Sequence, residues 1–266
     1  MVFNTNSVSE GANHTPGLFG SANNNSGANR QGCRGVASSR VSDRWARAKR
    51  RAAGSFSRRA AYNAGMNKIL VIYAHPESPP SRANRALRDG AQAELARLNA
   101  SRGPSEPEKE MVITWHDLYQ HYADFHINVA KEQALLLAHD VLIFQHPFHW
   151  YSVPALLKLW IDEVLEDGWA YGGGAARLAG KRWAHWVTAG GSASAYTHGG
   201  QNNFAVEELL RPLEQTAILC RCPWIRPQFT YSSLTLDDTD LQREALRYAS
   251  WLEALAEAPN TESQDA

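Results

Sequence analysis

From Lys68 onwards, apolar positions along the chain follow two alternating patterns. Short continuous apolar runs, such as KILVIYAH (68–75) and DVLIFQHP (140–147), are typical of strands buried on both faces. The stretches between such runs, the first beginning near Asn84, place leucine and alanine at helical spacing. Three further strands are predicted in the segments MVITWHDL (111–118), KRWAHWVTAGG (181–191) and PWIRPQFTYS (223–232).

Five strands that alternate with five helices predict a doubly wound α/β domain, with a parallel sheet and helices on both faces. The later helices are expected at 131–140, 154–167, 203–220 and 236–257. The N-cap of the last helix is sought among Asp237, Asp238 and Thr239. We expect the domain to span residues 66–257, followed by a disordered tail at 258–266.

Residues 1–65 are rich in Ser, Asn, Gly, Ala and Arg, without a sustained apolar period, which predicts disorder. They carry ten Lys and Arg against two acidic residues, so a net charge of +8 is balanced by −8 on the remainder. A segment that binds nucleic acid or anionic lipid, a transit peptide, and sequence upstream of a start at Met66 all fit this composition. The third is favoured because Met66 leads directly into the first strand, so no nucleic-acid binding is expected.

Other classes of protein are disfavoured by composition. No apolar run reaches the roughly 18 residues of a membrane span, and no secretory leader is recognisable. The cysteines, at positions 33, 220 and 222, are too few and too poorly spaced for a disulfide framework or a zinc site. We therefore expect a cytoplasmic protein with buried, reduced cysteines and no bound metal.

Ligands of doubly wound sheets bind beyond the carboxyl ends of the strands, where the strand order reverses, and three unusual loops follow predicted strand ends. Loop one, HPESPPSRAN (75–84), ends where a helix begins. Backbone N–H groups at a helix start favour an anion, so Ser81, Asn84 and Arg82 are candidates to hold one phosphate. An ordinary helix cap would also explain either Ser81 or Asn84 alone.

Loop two contains Phe148, Trp150 and Tyr151 directly after the third strand. Such side chains can shelter the faces of a planar heteroaromatic ring while backbone N–H groups bond to its edge. An aromatic cluster packed between helices would explain one of these residues, but not all of them.

Loop three, TAGGSASAYTHGGQNNF (188–204), begins with Thr188 and continues with Gly190 and Gly191, which let backbone donors approach a ligand closely. Tyr196 and His198 follow as candidates to stabilise negative charge on a reduced ring. An incidental position in a mobile loop is the alternative for His198. A phosphate pocket, a ring slot and close-approach glycines suit a flavin better than a nicotinamide dinucleotide, because the glycine fingerprint of the latter is missing.

The motifs ILVIYAHPESPPSRAN, QHPFHWYSVPALLKLWIDEVLEDGWAYG and GKRWAHWVTAGG make the chain from Lys68 to Leu252 similar to the NAD(P)H:quinone oxidoreductases of flavodoxin-like fold, the DT-diaphorase family. The chain most resembles the bacterial branch that includes the ancillary proteins of glutathione-gated Kef potassium-efflux systems. The resemblance implies bound FMN, with FAD as the alternative. It implies a phosphate end lined by His75, Ser81, Arg82, Ala83 and Asn84.

The same resemblance implies that the flavin ring is flanked by Phe148, His149, Trp150 and Tyr151. It implies contacts to the pyrimidine edge from Thr188, Ala189, Gly190 and Gly191. Tyr196 stands at the distance of the family tyrosine that stabilises reduced flavin, whereas His198 comes earlier than the family histidine. Trp150 and Tyr171 are expected to border the substrate cleft.

The implied activity is a ping-pong reaction, in which NAD(P)H passes hydride to the flavin and a quinone then accepts two electrons. Family members are typically homodimers, and Trp160, Trp169 and Tyr171 are large enough to serve such an interface. One alternative is a regulatory subunit of a potassium-efflux transporter, held at the inner face of the cell membrane, whose reductase activity is incidental. A one-electron carrier fits less well, because such carriers are strongly acidic and need no substrate cleft.

Overall fold

A computed structural model describes residues 66–76, 81–102, 110–174 and 176–259. Within them, five parallel strands form one sheet in the order β2-β1-β3-β4-β5. The strands are β1 (Ile69–Tyr73), β2 (Ile113–Asp117), β3 (Val141–Pro147), β4 (Arg182–Thr188) and β5 (Gln228–Thr230). The predicted doubly wound, five-stranded parallel sheet is confirmed. The predicted disorder of residues 1–65, and of 260–266 in the tail expected at 258–266, concerns residues outside the described part. Ala258, the first residue of that expected tail, instead caps the last helix of the chain and accepts a hydrogen bond from Asn67.

Seven α-helices accompany these strands in the described residues. They are α1 (Arg82–Arg102), α2 (Leu118–His121), α3 (Val129–Leu137), α4 (Ala155–Val164), α5 (Val206–Leu209), α6 (Arg211–Leu219) and α7 (Asp238–Glu257). The Asp237 side chain caps α7 by accepting from Asp240 N, as the sequence predicted. No helix among the described residues has the length and apolar character needed to cross a membrane.

Prolines explain the main departures from the predicted elements. The single helix expected at 203–220 is divided into α5 and α6 at Leu210, just before Pro212. Pro212 has no N–H with which to continue the ladder from the preceding turn. Strand β5 is likewise shorter than the predicted 223–232, because it begins only after Pro227.

Each face of the sheet has its own apolar core, because successive side chains of a strand point in opposite directions. Val141 and Ile143 face one core, which is covered by α1 and α7. These two helices approach closely: a Cβ added at Gly90 would lie 2.6 Å from the Cβ of Ala245. Leu142 and Phe144 face the other core, which is covered mainly by α4.

A buried carboxylate fastens α4 to its neighbours. Glu132 is 0% exposed and accepts hydrogen bonds from Tyr122 Oη (2.5 Å) and Trp160 Nε1 (2.8 Å). His116 Nε2 lies 3.0 Å from Glu132 Oε2. Trp160 is itself fully buried, so the expectation that it serves a dimer interface is wrong. The carboxylate thus ties α4, which follows loop two, to β2 and α3.

Burial raises the pKa of Glu132, but the contacts with His116, Tyr122 and Trp160 outweigh burial and hold that pKa below its usual value. A carboxyl group with a lowered folded-state pKa stabilises the protein above its unfolded-state pKa and loses this contribution as the pH falls through the folded-state value.

We therefore predict that Glu132→Gln lowers the free energy of unfolding by about 2–3 kcal/mol at pH 7, because the donors lose a charged acceptor. The difference from the wild type should shrink on acidification, because the wild type then loses the same charge. Urea unfolding between pH 3 and pH 7 measures this, with the exposed Glu163→Gln as control. A loss of unfolding free energy that is the same at every pH would contradict the role of the Glu132 charge.

Candidate functional site

The strand order reverses between β1 and β3, and in doubly wound sheets the ligand crevice lies beyond the strand ends at such a point. Tyr73 pairs with Gln145, and the Ala74 N–H donates to the Gln145 carbonyl at 2.9 Å. The next step of this parallel ladder would join the N–H of residue 76 to the carbonyl of Pro147. Residue 76 is a proline without an N–H, so the ladder between β1 and β3 ends at this point, where the crevice is expected.

The start of α1 forms one wall of this crevice. Ser81 Oγ accepts from the Asn84 N–H (3.0 Å) and lies 3.1 Å from Asn84 Nδ2. Asn84 Nδ2 also donates to Thr188 Oγ1 at 2.7 Å, and Asn84 is only 1% exposed. Loops one and three, which are distant in sequence, are therefore linked through one amide group. Glu77–Pro80 of loop one lie outside the described residues.

The remaining predicted phosphate residues have different surroundings. Arg82 is directed towards α7, where its guanidinium contacts the Leu236 carbonyl and the Asp238 carboxylate. Ala83 is buried in the first turn of α1. The His75 ring is 6.2 Å from the His149 ring, so loops one and two meet at these imidazoles. In this arrangement, the helix start and Ser81 remain candidates for binding an anion, and Arg82 links the start of α1 to the start of α7.

Loop two makes a tight reverse turn, in which His149 and Ser152 exchange backbone hydrogen bonds of 3.0 Å. Both central residues are left-handed, Trp150 with φ 48° and Tyr151 with φ 62°. This conformation normally selects glycine or asparagine, and bulky residues in it cluster at functional sites. Trp150 is 94% exposed, so burial of its indole does not offset the backbone strain. An aromatic pair is held here at the expense of local stability.

Aromatic rings continue from loop two across the carboxyl ends of β4 and β5. The centroid of the Phe148 ring lies 6.2 Å from that of Tyr151 and 5.9 Å from that of Tyr196. The ring centroids of Tyr231 and Tyr196 are 6.0 Å apart. Burial raises the pKa of Tyr196, and Tyr151 adds to this shift, so the phenol keeps its proton at neutral pH. Partial burial also lowers the pKa of His149, although most of this residue is on the surface.

The glycines of loop three are needed for contact between protein groups as well as for any ligand. A Cβ at Gly191 would lie 3.2 Å from the Tyr196 ring, and a Cβ at Gly190 would lie 3.2 Å from Leu234. Ala189 is fully buried and donates its N–H to the Thr230 carbonyl. The absence of a side chain at Gly191 therefore allows the Tyr196 ring to lie close to the backbone, and Gly190 does the same for Leu234.

Three residues named from the sequence stand apart from the aromatic rings. His198 is exposed, and its Nε2 lies 3.5 Å from Glu208 Oε2, so its catalytic role stays a prediction that this contact does not favour. Tyr171 and Trp169 are half-buried against the core beneath α4, and the Tyr171 carbonyl accepts from the Gly168 N–H at 2.7 Å. No group of three or more potential metal-binding side chains occurs in the described segments.

Sequence reasoning missed the contribution of the segment after β5. Tyr231 extends the row of rings and Leu234 covers Gly190. Asn202, further along loop three, has its amide oxygen 3.2 Å from the Tyr151 hydroxyl. The useful signal was the position of Tyr231 directly after a strand, because the carboxyl ends of parallel strands share one edge of the sheet.

Comparisons with known proteins agree with this architecture. A family model described as flavodoxin-like fold matches residues 67–252. The chain belongs to the flavodoxin-like fold family. The fold and the family expected from the sequence motifs are thereby confirmed.

Relatives of this flavodoxin-like chain carry two kinds of name. The glutathione-regulated potassium-efflux system ancillary protein KefG of Pectobacterium atrosepticum is 44% identical over 185 residues, which cover 70% of this chain and 92% of the relative. The general stress protein 14 of Treponema denticola, solved in complex with FMN, is 36% identical with a TM-score of 0.61, covering 71% of this chain and 99% of that one. An NADPH-quinone reductase of P. pentosaceus is 29% identical with a TM-score of 0.57, and the match covers 70% of this chain and 97% of that one.

The strained turn of loop two leads to a prediction about stability. We expect Trp150→Gly to be more stable than Trp150→Ala by about 1 kcal/mol, because only glycine adopts the left-handed conformation without strain. Urea unfolding of both variants measures this. The same Ala-to-Gly change at Ala155, on the exposed start of α4, should instead destabilise the protein. Equal stability of the two Trp150 variants would show that the turn is not strained.

Proposed function

We propose that this chain is an FMN-dependent NAD(P)H:quinone oxidoreductase. The observation that carries the proposal is the strained, exposed turn of Trp150 and Tyr151, which stands at the strand switch point beside Tyr196. Side chains held at a cost to stability and exposed to solvent indicate selection for a ligand. The names of two structural relatives, an FMN complex and an NADPH-quinone reductase, support the same proposal.

The residues present fit a flavin mononucleotide. The first turn of α1 offers backbone N–H groups for a phosphate, and the Ser81 hydroxyl stands beside them. The Asn84 Oδ1 is buried without a hydrogen-bond partner among the described residues, and such an acceptor suits a hydroxyl of a ribityl chain. Phe148, Trp150 and Tyr151 would flank the ring, and the backbone from Thr188 to Gly191 would meet its pyrimidine edge.

When bound, the flavin would supply two-electron chemistry between NAD(P)H and a quinone. The protein's own contribution is orientation and electrostatics. The Tyr196 hydroxyl, protonated at neutral pH, is a donor for negative charge that develops near Gly191. Trp150 and Tyr151 would shield the reacting face from water. Tyr171 lies apart from these rings, and its place at the border of the substrate cleft rests on the family resemblance alone. We include in the proposal a homodimer in which Trp169 and Tyr171 lie near the interface.

The second candidate function is a regulatory one. A relative that is 44% identical over 92% of its length is named as an ancillary protein of a glutathione-regulated potassium-efflux system. On this proposal the chain docks on a Kef-type membrane protein from the cytoplasmic side, and flavin occupancy or turnover influences that partner. The two functions are compatible, because the same flavin site would serve both.

Tyr196 provides the test of the enzyme proposal. We predict that Tyr196→Phe slows flavin reduction by NAD(P)H about tenfold, the equivalent of about 1.4 kcal/mol, because one hydrogen bond to developing charge is lost. Anaerobic stopped-flow bleaching of the flavin band measures this half-reaction. Tyr231→Phe is the matched control, since its ring is the next in the row and its change should have little effect.

The outcomes separate the two functions. An unchanged rate in Tyr196→Phe would remove this phenol from the mechanism but leave the enzyme intact. If wild-type flavin is bleached by neither NADH nor NADPH, the oxidoreductase proposal fails. Co-purification with a Kef-type transporter, together with transporter activation by a variant without reductase activity, would then favour the regulatory function.

A further inference from the structure

Two fully buried histidines lie directly beneath the candidate site. His146 on β3 and His185 on β4 are both 0% exposed, and His146 Nε2 lies 3.0 Å from His185 Nδ1. His185 Nε2 accepts from Trp183 Nε1 at 2.8 Å, and His146 Nδ1 lies 3.0 Å from the Pro147 carbonyl oxygen. These contacts form a single chain from the interior of the sheet to the last residue of β3.

The direction of every hydrogen bond in this chain is fixed. A carbonyl oxygen can only accept, so His146 Nδ1 must carry a proton and, in the neutral ring, His146 Nε2 must accept. His185 Nδ1 is then the donor, and His185 Nε2 accepts from the indole N–H of Trp183. Each ring nitrogen has one partner of the correct type. A second proton on either ring would place one N–H against another, so both rings are neutral.

This chain of hydrogen bonds ends at the Pro147 carbonyl, at the point where the ladder between β1 and β3 stops. The Pro147 carbonyl is the group for which residue 76 would supply an N–H if the ladder between β1 and β3 continued. Because residue 76 is proline, this carbonyl has no donor from β1. The His146 imidazole supplies one instead. Phe148, the next residue, donates its N–H to the Thr188 carbonyl at 2.8 Å and begins loop two.

We propose that His146 is a positioning residue for the flavin-binding loop: its Nδ1–H replaces the ladder donor that Pro76 lacks and thereby fixes the Pro147 carbonyl and the start of loop two. His185 and Trp183 set the tautomer that makes His146 a donor at this atom. The inference rests on the proposed flavin site for its functional consequence. Its structural part, the fixing of the strand end, is independent of any ligand.

This arrangement explains why imidazoles occupy a site that excludes water. Burial lowers the pKa of His146 to about 4, and burial together with His146 holds the pKa of His185 well below its ordinary value. His149, in loop two, is the titratable group that adds to the lowering for His146. A neutral donor of this kind holds the carbonyl without bringing a buried positive charge beside the crevice.

Two substitutions separate the two nitrogens of His146. Asparagine places its amide nitrogen where Nδ1 lies, so His146→Asn keeps the bond to Pro147 and loses the bond to His185. Glutamine reaches the position of Nε2, so His146→Gln keeps the contact with His185 and leaves Pro147 without its donor. We expect the Asn variant to melt at a lower temperature than the Gln variant, because it leaves a cavity and an unpaired buried donor.

Protection of the Phe148 amide and affinity for FMN should follow the opposite order, with the Asn variant closer to the wild type than the Gln variant. In His146→Gln we expect faster hydrogen exchange at the Phe148 amide, measured by NMR on the flavin-free protein, and about tenfold weaker FMN binding by fluorescence titration. In His146→Asn both properties should stay near the wild-type values despite the lower melting temperature. Loss of FMN affinity that simply follows melting temperature would reduce His146 to a packing residue and overturn the proposal.

A compensating change makes the test independent of folding defects. Pro76→Ala restores an N–H to β1 at the ladder position that faces Pro147, so His146→Gln with Pro76→Ala should recover Phe148 protection and FMN affinity to within about threefold of wild type. Failure of this rescue, with both variants folded, would overturn the proposal. If the wild type itself binds no FMN, the proposed function fails, while the Phe148 exchange measurements still decide the positioning role.

Discussion

The candidate site depends on the separation of β1 from β3. Their backbone ladder runs to the bond between Ala74 N and Gln145 O and then ends, because Pro76 has no N–H to offer Pro147. Strand order reverses at the same place, so α1 leaves on one side of the sheet and loop two on the other. The crevice is therefore a consequence of strand order and of one imino acid.

Different polar groups stabilise the two sides of the crevice. On the side of α1, buried Asn84 joins Ser81 to Thr188 and keeps an oxygen free of partners among the described residues. On the side of β3, His146 takes the place of the missing backbone donor. These hydrogen-bonded groups lie on either side of a turn that is itself strained at Trp150 and Tyr151. Aromatic residues supported in this way are suited to hold a planar ring in one orientation.

Much of this could be predicted from the sequence, because local patterns determine it. The five strands, the cap at Asp237 and the grouping of three loops at one edge followed from apolar periods and from the rules of parallel sheets. The helix expected at 203–220 begins only at Val206 and is divided before Pro212, which has no N–H to continue the preceding turn. Fold and family therefore follow from the sequence alone.

The rest depends on contacts between residues far apart in sequence. Arg82 was expected at the phosphate, but its guanidinium reaches Asp238, which lies 156 positions further along. Trp160 was expected at an interface, but a buried carboxylate draws its indole inward. The pairing of His146 with His185 and the left-handed turn at Trp150 also have no local sequence signature, since tautomers and strain are set by neighbours in space.

The central claim is that the crevice between β1, β3 and β4 holds one flavin mononucleotide. Its most direct test is to denature the purified protein and to identify and quantify the released cofactor by mass and by absorbance. The account predicts FMN at a ratio approaching one molecule per chain, recovered again after the flavin-free protein is mixed with FMN and dialysed. A protein that carries no flavin and retains neither FMN nor FAD after such mixing would contradict it.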